Sequence, residues 1–350
     1  MNRWIRSIGA LPATLLILAA CQAPRAGVGA PASETPAPAT ASAAATARPS
    51  PTPNFAGKTL NVVTGGTGGV YIVYGAGLAD LLNKKLGTAA SAQSTAASVA
   101  NMQLIRDGKA DLAFTLADTA YDAVKGRTDA FAGKPADAKA LAVLYGNFTH
   151  VVAKDGSGIT TIADLKGKRV SVGAAASGTE IIANRILEAY GLDPAKDINR
   201  ERLGVADSAN GLRDGKLDAF FWSGGLPTSQ ISDLVTSTRV RFLEHTDAIK
   251  KMSEKYGPFY FEATIPKGTY KNDADVKTSG VANLLVAPSS FDAQLAQAVL
   301  RTMFDNKADL ELVHAEAKNL RLETATVGSP LDFHPGAIEF YKSRNAWKGS

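Results

Sequence analysis

Residues that enzymes and metal sites commonly use are scarce in this chain. Its 350 residues include 1 cysteine and 4 histidines. The cysteine, Cys21, has no partner for a disulfide, and no other thiol is left for catalysis or metal binding. No two histidines have the spacing of metal ligands, and no nucleophile has an evident base beside it. We therefore expect no catalytic residues, no metal and no cofactor, and we expect a protein that is not an enzyme.

Strong charge and long apolar runs are lacking as well. The formal net charge is +5, and no dense basic tract with interleaved aromatic residues occurs. Nucleic acid is therefore not an expected partner. No apolar run reaches the roughly 20 residues that a membrane-spanning helix needs.

The first residues have the pattern of a secretory signal. Arg3 and Arg6 precede an apolar stretch of about a dozen residues, which is too short to span a membrane. The stretch ends in LAAC, which resembles the lipobox of bacterial lipoproteins, whose cysteine receives the lipid. We expect residues 1–21 to be a lipoprotein signal and Cys21 to anchor the chain outside the cytoplasm, in the periplasm or at the cell surface. An ordinary cleaved signal with a chance cysteine is the alternative.

A stretch of low complexity follows the signal. Residues 22–56 are mostly alanine, proline, threonine and serine, with almost no large apolar side chains. Such a composition cannot bury a core, and its prolines favour an extended chain. We interpret this stretch as a disordered tether between the anchor and a folded part.

A glycine-rich loop opens the folded part. Residues 59–75 read TLNVVTGGTGGVYIVYG. A Walker loop needs lysine and then serine or threonine after its last glycine, where Val70 and Tyr71 stand. A dinucleotide fingerprint needs a third glycine at Tyr71. What remains is a strand, a loop rich in backbone N–H groups and a helix, which either binds an anion or only makes a turn.

Two patterns occur twice, in the same order. RDGKADLAF at 106–114 returns as RDGKLDAFF at 213–221, and each copy predicts a helix end, a glycine cap and a strand. Upstream of each copy, a strand, a small-residue loop and a helix are expected near 60–71 and 169–181. The repetition predicts two related α/β lobes. Ligands of such folds bind beyond the carboxyl ends of the strands.

Apolar spacing predicts the individual elements. We expect helices over 71–86, 98–107, 181–190, 291–308 and 309–319, and short strands over 141–145 and 151–153. Ser98 is the expected N-cap of the second helix. Arg106 and Arg185 are expected to have surface roles.

An ordered set of motifs extends over the folded part. They are TGGTGGVY (64–71), TAASVAN (95–101), ADLA (110–113), DLKGKRVSVG (164–173), SGT (177–179), DAFF (218–221), IPKGTY (265–270) and HPGA (334–337). In this order they resemble the TAXI family, the solute-binding proteins of a subset of TRAP transporters. Ala97, Ala100, Leu116 and Ala117 depart from the residues usual in that family, which leaves fewer polar groups at the cleft.

The resemblance implies a fold and a function. The fold is α/β, a type II-like periplasmic-binding-protein fold with two lobes, a hinge and a central ligand cleft. The ligand is a small organic anion such as glutamate, 2-oxoglutarate or a related dicarboxylate. The partners are the small and large membrane subunits of a TRAP transporter. We place lobe 1 at 57–148, lobe 2 at 149–260, and a return to lobe 1 with C-terminal helices at 261–350.

The candidate ligand contacts lie in the expected loops and helix starts. They are Gly68, Gly69, Tyr71, Thr95, Ser98, Asn101, Asp118, Ser177, Gly178, Thr179, Trp222 and Gly224. Tyr71 is the strongest, because its hydroxyl can reach a carboxylate while its ring walls the cleft. Each also has a structural interpretation, as a core aromatic residue, a turn glycine, a helix cap or a loop-fixing side chain.

Two further function classes remain open. A lipid-anchored receptor with the same fold could pass ligand occupancy to a membrane signalling kinase. A lipid-anchored enzyme is the third class, because two-lobe folds can host catalysis.

Overall fold

The computed structural model describes residues 54–349, which form a mixed α/β fold, as the sequence predicts. The signal peptide, Cys21 and nearly all of the tether lie outside these residues. Residues 54–349 belong to one compact unit. Within the described range, no helix combines the length and the apolar character that crossing a membrane requires.

Strands and helices alternate along most of the chain. The strands are β1 (Thr59–Val63), β2 (Ala89–Gln93), β3 (Leu112–Leu116), β4 (Ala138–Lys154), β5 (Arg169–Ser171), β6 (Asn199–Glu201), β7 (Ala219–Gly224), β8 (Val240–Phe242), β9 (Tyr260–Ile265) and β10 (Val276–Pro288). The helices are α1 (Val70–Leu86), α2 (Ser98–Arg106), α3 (Ala117–Lys125), α4 (Gly178–Ala189), α5 (Val205–Arg213), α6 (Ser229–Ser237), α7 (Ala248–Tyr256), α8 (Ala293–Asp305), α9 (Lys307–Val313) and α10 (Pro335–Ser343). Short 3-10 helices cover Ala163–Leu165 and Ala315–Asn319.

The strands form one sheet in the order β2-β1-β3-β10-β4-β7-β5-β6, with β8 beside β4 and β9 beside β10. β1 runs parallel to β2 and β3, and β5 runs parallel to β6 and β7. We call these the first and second strand groups. The long strands β4 and β10 run antiparallel between them. The predicted repeat corresponds to β1 and β3 in the first group and to β5 and β7 in the second; the lobe boundaries themselves stay a prediction.

The middle of the sheet differs from the expected pair of short strands. Residues 138–154 form one continuous strand, because β10 pairs with residues 138–148 and β7 pairs with residues 148–153. The polar residues Asn147 and Thr149, which look like a break in the sequence, are buried inside this strand. The ring of Phe261 covers Gly146 so closely that a Cβ there would lie 3.2 Å from it.

The start of α2 also differs from the prediction. Ser98 is the first helical residue rather than the N-cap, and Ala97 precedes it with a φ of 83°. The N–H of Ala97 donates to Thr95 Oγ1 at 2.9 Å, which holds this turn. Ser98 Oγ accepts instead from the N–H of Leu116 at 3.2 Å and so joins α2 to the end of β3.

Other boundaries shift by a few residues. α4 begins at Gly178 rather than 181, because Ser177 Oγ caps the N–H of Glu180 at 3.1 Å. The expected helix 309–319 is divided between α9 and the 3-10 helix Ala315–Asn319.

The prediction of a surface role for Arg185 is wrong. Its guanidinium is buried and pairs with Asp118 at 3.1 Å and with Asp122, both on α3. It also donates to the hydroxyl of Tyr260 at 2.6 Å, and that hydroxyl donates to Asp118 at 2.9 Å. Its guanidinium carbon lies 4.3 Å from the ring centroid of Tyr256. This buried ionic cluster ties α4 to α3, β9 and α7.

Two buried histidines are held neutral. His150 Nδ1 lies 3.0 Å from the carbonyl of Phe148, and Nε2 lies 3.1 Å from the hydroxyl of Tyr270. That hydroxyl accepts from the N–H of Thr228 at 2.7 Å, so its hydrogen is free for Nε2. Burial lowers the pKa of His150 to about 4, and burial lowers the pKa of His245 to about 4 as well.

The buried ionic cluster makes a stability prediction. Arg185→Met would leave two buried carboxylates without their cation, and we expect a loss of about 3–5 kcal/mol in the free energy of unfolding. Urea unfolding measures it. The control is Arg321→Met, whose ion pair with Glu323 is largely exposed, and which should cost at most about 1 kcal/mol. Equal losses in the two variants would show that the cluster does not contribute as described.

The histidines predict a pH dependence. In the unfolded chain an imidazole takes up its proton near pH 6.5, whereas folded His150 and His245 do so only near pH 4. Their contribution to stability is therefore complete above pH 6.5 and is lost as the pH falls toward 4. Urea midpoints between pH 7 and 4.5 should decrease, and His245→Gln should flatten the decrease. An unchanged slope in that variant would contradict the assignment.

Candidate functional site

A cavity of about 230 Å³ lies where the loops of the two strand groups meet. It is lined mostly by residues at or after the carboxyl ends of parallel strands, as expected for this class of sheet. After the first group these are Gly65, Gly66, Thr67, Gly69, Val70, Tyr71, Thr95, Ala96, Ala97, Ser98 and Leu116. After the second group they are Ala174, Ser177, Gly178, Thr179, Gly204, Val205, Ala206, Asp207, Trp222, Ser223 and Gly224, with Tyr145 and Asn147 from β4.

Four helices begin at this cavity. The N-caps of α1, α2, α4 and α5 are Gly69, Ala97, Ser177 and Gly204, and all four line it. The first N–H groups of a helix have no partner within the helix, and the helix dipole makes this end positive. The backbone at these four helix starts therefore contributes positive potential to the cavity. No lysine or arginine is among its lining residues, and Asp207 is their one charged side chain.

Three lining hydroxyls already use a lone pair within the fold. Ser177 Oγ accepts from the N–H of Glu180 at 3.1 Å, and Thr179 Oγ1 accepts from the N–H of Ser223 at 3.2 Å. Ser223 Oγ accepts from Asn147 Nδ2 at 3.0 Å. Within residues 54–349, none of the three donates its hydroxyl hydrogen to a protein group. They are therefore available as donors, which suits a ligand rich in acceptors such as a carboxylate.

A continuous chain of side-chain hydrogen bonds crosses the middle of the sheet beside the cavity. The hydroxyl of Tyr71 donates to Asn283 Oδ1, and Asn283 Nδ2 donates to Asn147 Oδ1 at 2.9 Å. Asn147 Nδ2 then donates to Ser223 Oγ, and the N–H of Ser223 donates to Thr179 Oγ1. We call this the cross-sheet chain. It connects α1, β10, β4, β7 and α4, and so joins the two strand groups.

The structure changes the role expected for Tyr71. Its ring lines the cavity and packs 5.3 Å from the ring of Phe114. Its hydroxyl hydrogen, however, is given to Asn283, so it is not free for a ligand carboxylate in this arrangement. Burial raises the pKa of Tyr71 above its usual value, so the hydroxyl stays protonated as this donation requires.

Nine of the predicted contacts line the cavity. They are Gly69, Tyr71, Thr95, Ser98, Ser177, Gly178, Thr179, Trp222 and Gly224. Whether each touches a ligand stays a prediction.

The other three predicted contacts, Gly68, Asn101 and Asp118, lie outside the cavity lining. The backbone of Gly68 packs against Gln230, so closely that a Cβ would lie 2.1 Å from its amide. Asn101 is buried, where it donates to the carbonyl of Phe114 at 2.8 Å and accepts from Thr95 Oγ1 at 2.6 Å. Asp118 belongs to the buried ionic cluster with Arg185.

Trp222, on β7 of the second strand group, packs against the glycine-rich loop that follows β1. Its indole N–H donates to Thr228 Oγ1 at 2.9 Å, which fixes the ring plane. The ring edge lies so near Gly69 that a Cβ there would be 3.2 Å away. Glycine at position 69 therefore allows the glycine-rich loop and Trp222 to contact each other beside the cavity.

Sequence reasoning missed Asn147, Ser223, Asp207 and Tyr145. Asn147 lies where the sequence suggests a gap between strands, and Asp207 belongs to no motif. The hydroxyl of Tyr145 is buried and has no hydrogen-bond partner among the described residues. The sequence contains one indication of this site: Asn147 and Asn283 each stand as a single asparagine in a mainly apolar stretch.

Comparison with known proteins gives one family and a set of distant folds. The model of a family described as NMT1-like matches residues 62–344. A periplasmic aliphatic sulphonate binding protein from Escherichia coli is 16% identical, covers 82% of this chain and 83% of its own, and has a TM-score of 0.42. An alkanesulfonate-binding protein from Xanthomonas axonopodis pv. citri, bound to MOPS, is 14% identical over 83% and 91%, with a TM-score of 0.47.

A third solved structure is the binding protein component of an ABC phosphonate transporter from Pseudomonas aeruginosa. It is 13% identical, covers 76% of this chain and 80% of its own, and has a TM-score of 0.49.

The cross-sheet chain makes a prediction that needs no ligand. Tyr71→Phe would leave Asn283 Oδ1 buried without its donor, and we expect a loss of about 1–3 kcal/mol in the free energy of unfolding. The matched control is Tyr121→Phe, because Tyr121 is only partly buried and its hydroxyl makes no hydrogen bond to a described residue. If urea unfolding gives the same midpoint for both variants, the cross-sheet chain does not stabilise the fold.

Proposed function

We propose that this chain, which belongs to the NMT1-like family, is an extracytoplasmic solute-binding protein that captures a small organic anion in the cavity between its two strand groups. The observation that carries the proposal is the convergence of four helix N-termini on a cavity without a lysine or arginine. Backbone N–H groups and hydroxyl hydrogens can neutralise a carboxylate there by directed hydrogen bonds.

The lining side chains also favour binding over catalysis, because no histidine base lies beside their hydroxyl groups. None of the four histidines lines the cavity, and the lining hydroxyls of Ser177 and Thr179 accept from backbone N–H groups instead of facing a base. Nucleophilic catalysis needs an adjacent base. We therefore propose capture and release of an unmodified solute rather than turnover.

The finer proposal concerns ligand and transporter. The motif series at 64–71, 95–101 and 177–179 supports a TAXI-type receptor of a TRAP transporter, and each of the three motifs contributes residues to the cavity lining. We propose glutamate, 2-oxoglutarate or a related dicarboxylate as ligand, because helix N-termini from both strand groups can each hold one carboxylate. We also propose that the protein delivers its ligand to the small and large membrane subunits of the transporter. A lipid on Cys21 would anchor it to the membrane, with residues 22–56 as the tether.

The test is a thermal-shift and calorimetric screen of the chain from Thr52 onward, which includes the compact unit formed by residues 54–349. Amino acids, keto acids and dicarboxylates are the probes. A ligand at 100 times its dissociation constant adds about 2.7 kcal/mol to stability, which raises the melting temperature by several degrees. We expect a shift with at least one dicarboxylate, and no shift with any small anion would contradict the proposal.

A variant pair locates the bound anion. Ser223→Ala removes one free hydroxyl donor at the cavity, and we expect affinity for the anion to fall about tenfold or more, as for a hydrogen bond to a charged group. Ser253→Ala, on α7 and outside the cavity lining, is the control and should bind normally. If Ser223→Ala keeps full affinity, the anion does not bind at Ser223 on β7.

A further inference from the structure

The four helices at the cavity differ in the charge of their first turns. α1 and α2 have no acidic residue there, whereas α4 has Glu180 and α5 has Asp207. The two acids occupy the same helical position, the third residue after the N-caps Ser177 and Gly204. An acid at this position cancels part of the positive potential of its helix.

Glu180 is compensated within the fold. It is buried, and its carboxylate lies 2.6 Å from Arg200 and 2.6 Å from Arg202. It also accepts from the N–H of Ala176 at 3.0 Å. The start of α4 therefore keeps its capacity to bind an anion, because two arginines and a backbone donor balance the carboxylate.

Asp207 has no such compensation. It is exposed and lines the cavity, and its carboxylate makes no hydrogen bond or ion pair with any residue in 54–349. Side chains of a helix tilt toward its N-terminus, so this carboxylate leans toward the cavity end of α5.

The cavity consequently has two unlike sides. The starts of α1, α2 and α4 offer donors for carboxylates, while the start of α5 carries a free negative charge. A ligand with only carboxylate and oxo groups would place lone pairs against Asp207. A ligand with an ammonium group would place a donor and a positive charge there.

We propose that Asp207 recognises a positively charged amino group, so that the cavity selects amino dicarboxylates over oxo and unsubstituted dicarboxylates. The inference rests on the proposed function and deepens it, because it names the group that decides among ligands of the same skeleton. Asp207 acts as a specificity residue, and the anionic groups are held elsewhere in the cavity.

The experiment uses three probes that differ at one carbon: L-glutamate with an ammonium group, 2-oxoglutarate with an oxo group, and glutarate with neither. Calorimetric titration of the chain from Thr52 onward should give glutamate at least about tenfold tighter binding than the other two. In Asp207→Asn, glutamate should weaken about tenfold or more, while glutarate keeps or gains affinity because a repulsive charge is gone. Asp207→Glu should retain a preference for glutamate.

The control and the outcomes separate the inference from the proposed function. Asp233→Asn, an exposed acid on α6 outside the cavity, should leave all three affinities unchanged. Equal weakening of the three ligands in Asp207→Asn, or no change, overturns the inference and leaves the receptor function intact. Binding of none of the three by the wild-type protein overturns the inference and the dicarboxylate proposal together.

Discussion

The cross-sheet chain is the constraint on which the site depends. Strands β4 and β10 lie between the two strand groups and are largely buried, so an unpaired polar side chain in them costs stability. Asn283 and Asn147 find each other at 2.9 Å, and their remaining groups reach Tyr71 on one side and Ser223 on the other. The direction of each donation is thereby fixed. As a result Tyr71 cannot offer its hydrogen to the cavity, whereas Ser223 can.

The buried and partly buried arginines around the site are likewise paired within the fold. The buried cation Arg185 is paired with Asp118 and Asp122 on α3. Arg200 and Arg202 are occupied by Glu180. The cavity is left with backbone and hydroxyl donors, which cost less to desolvate than a guanidinium when no ligand is present. We propose that a site built in this way binds an anion by directed hydrogen bonds and that Asp207 selects among anions.

How far the sequence predicts this structure depends on whether a feature is local. The glycine loop, α1 and the repeat of β3 and β7 follow from spacing and turn residues within about ten positions. Asn147, Asn283 and Arg185 do not, because their partners lie 63 to 212 residues away and a lone polar residue in the sequence does not name its partner. Asp207 looks like any acid in the first turn of a helix; only the absence of compensation, which is a three-dimensional fact, distinguishes it.

The most direct test of the account is to observe which backbone amides respond to a ligand. A ¹⁵N–¹H correlation spectrum of the chain from Thr52 onward, titrated with glutamate, reports on every amide at the cavity. We predict that the largest shifts occur at the helix starts, Val70, Ser98, and Gly178 with Thr179, since those N–H groups hold the carboxylates. Saturable shifts confined to residues outside the cavity lining would contradict the central claim that converging helix N-termini form the anion site.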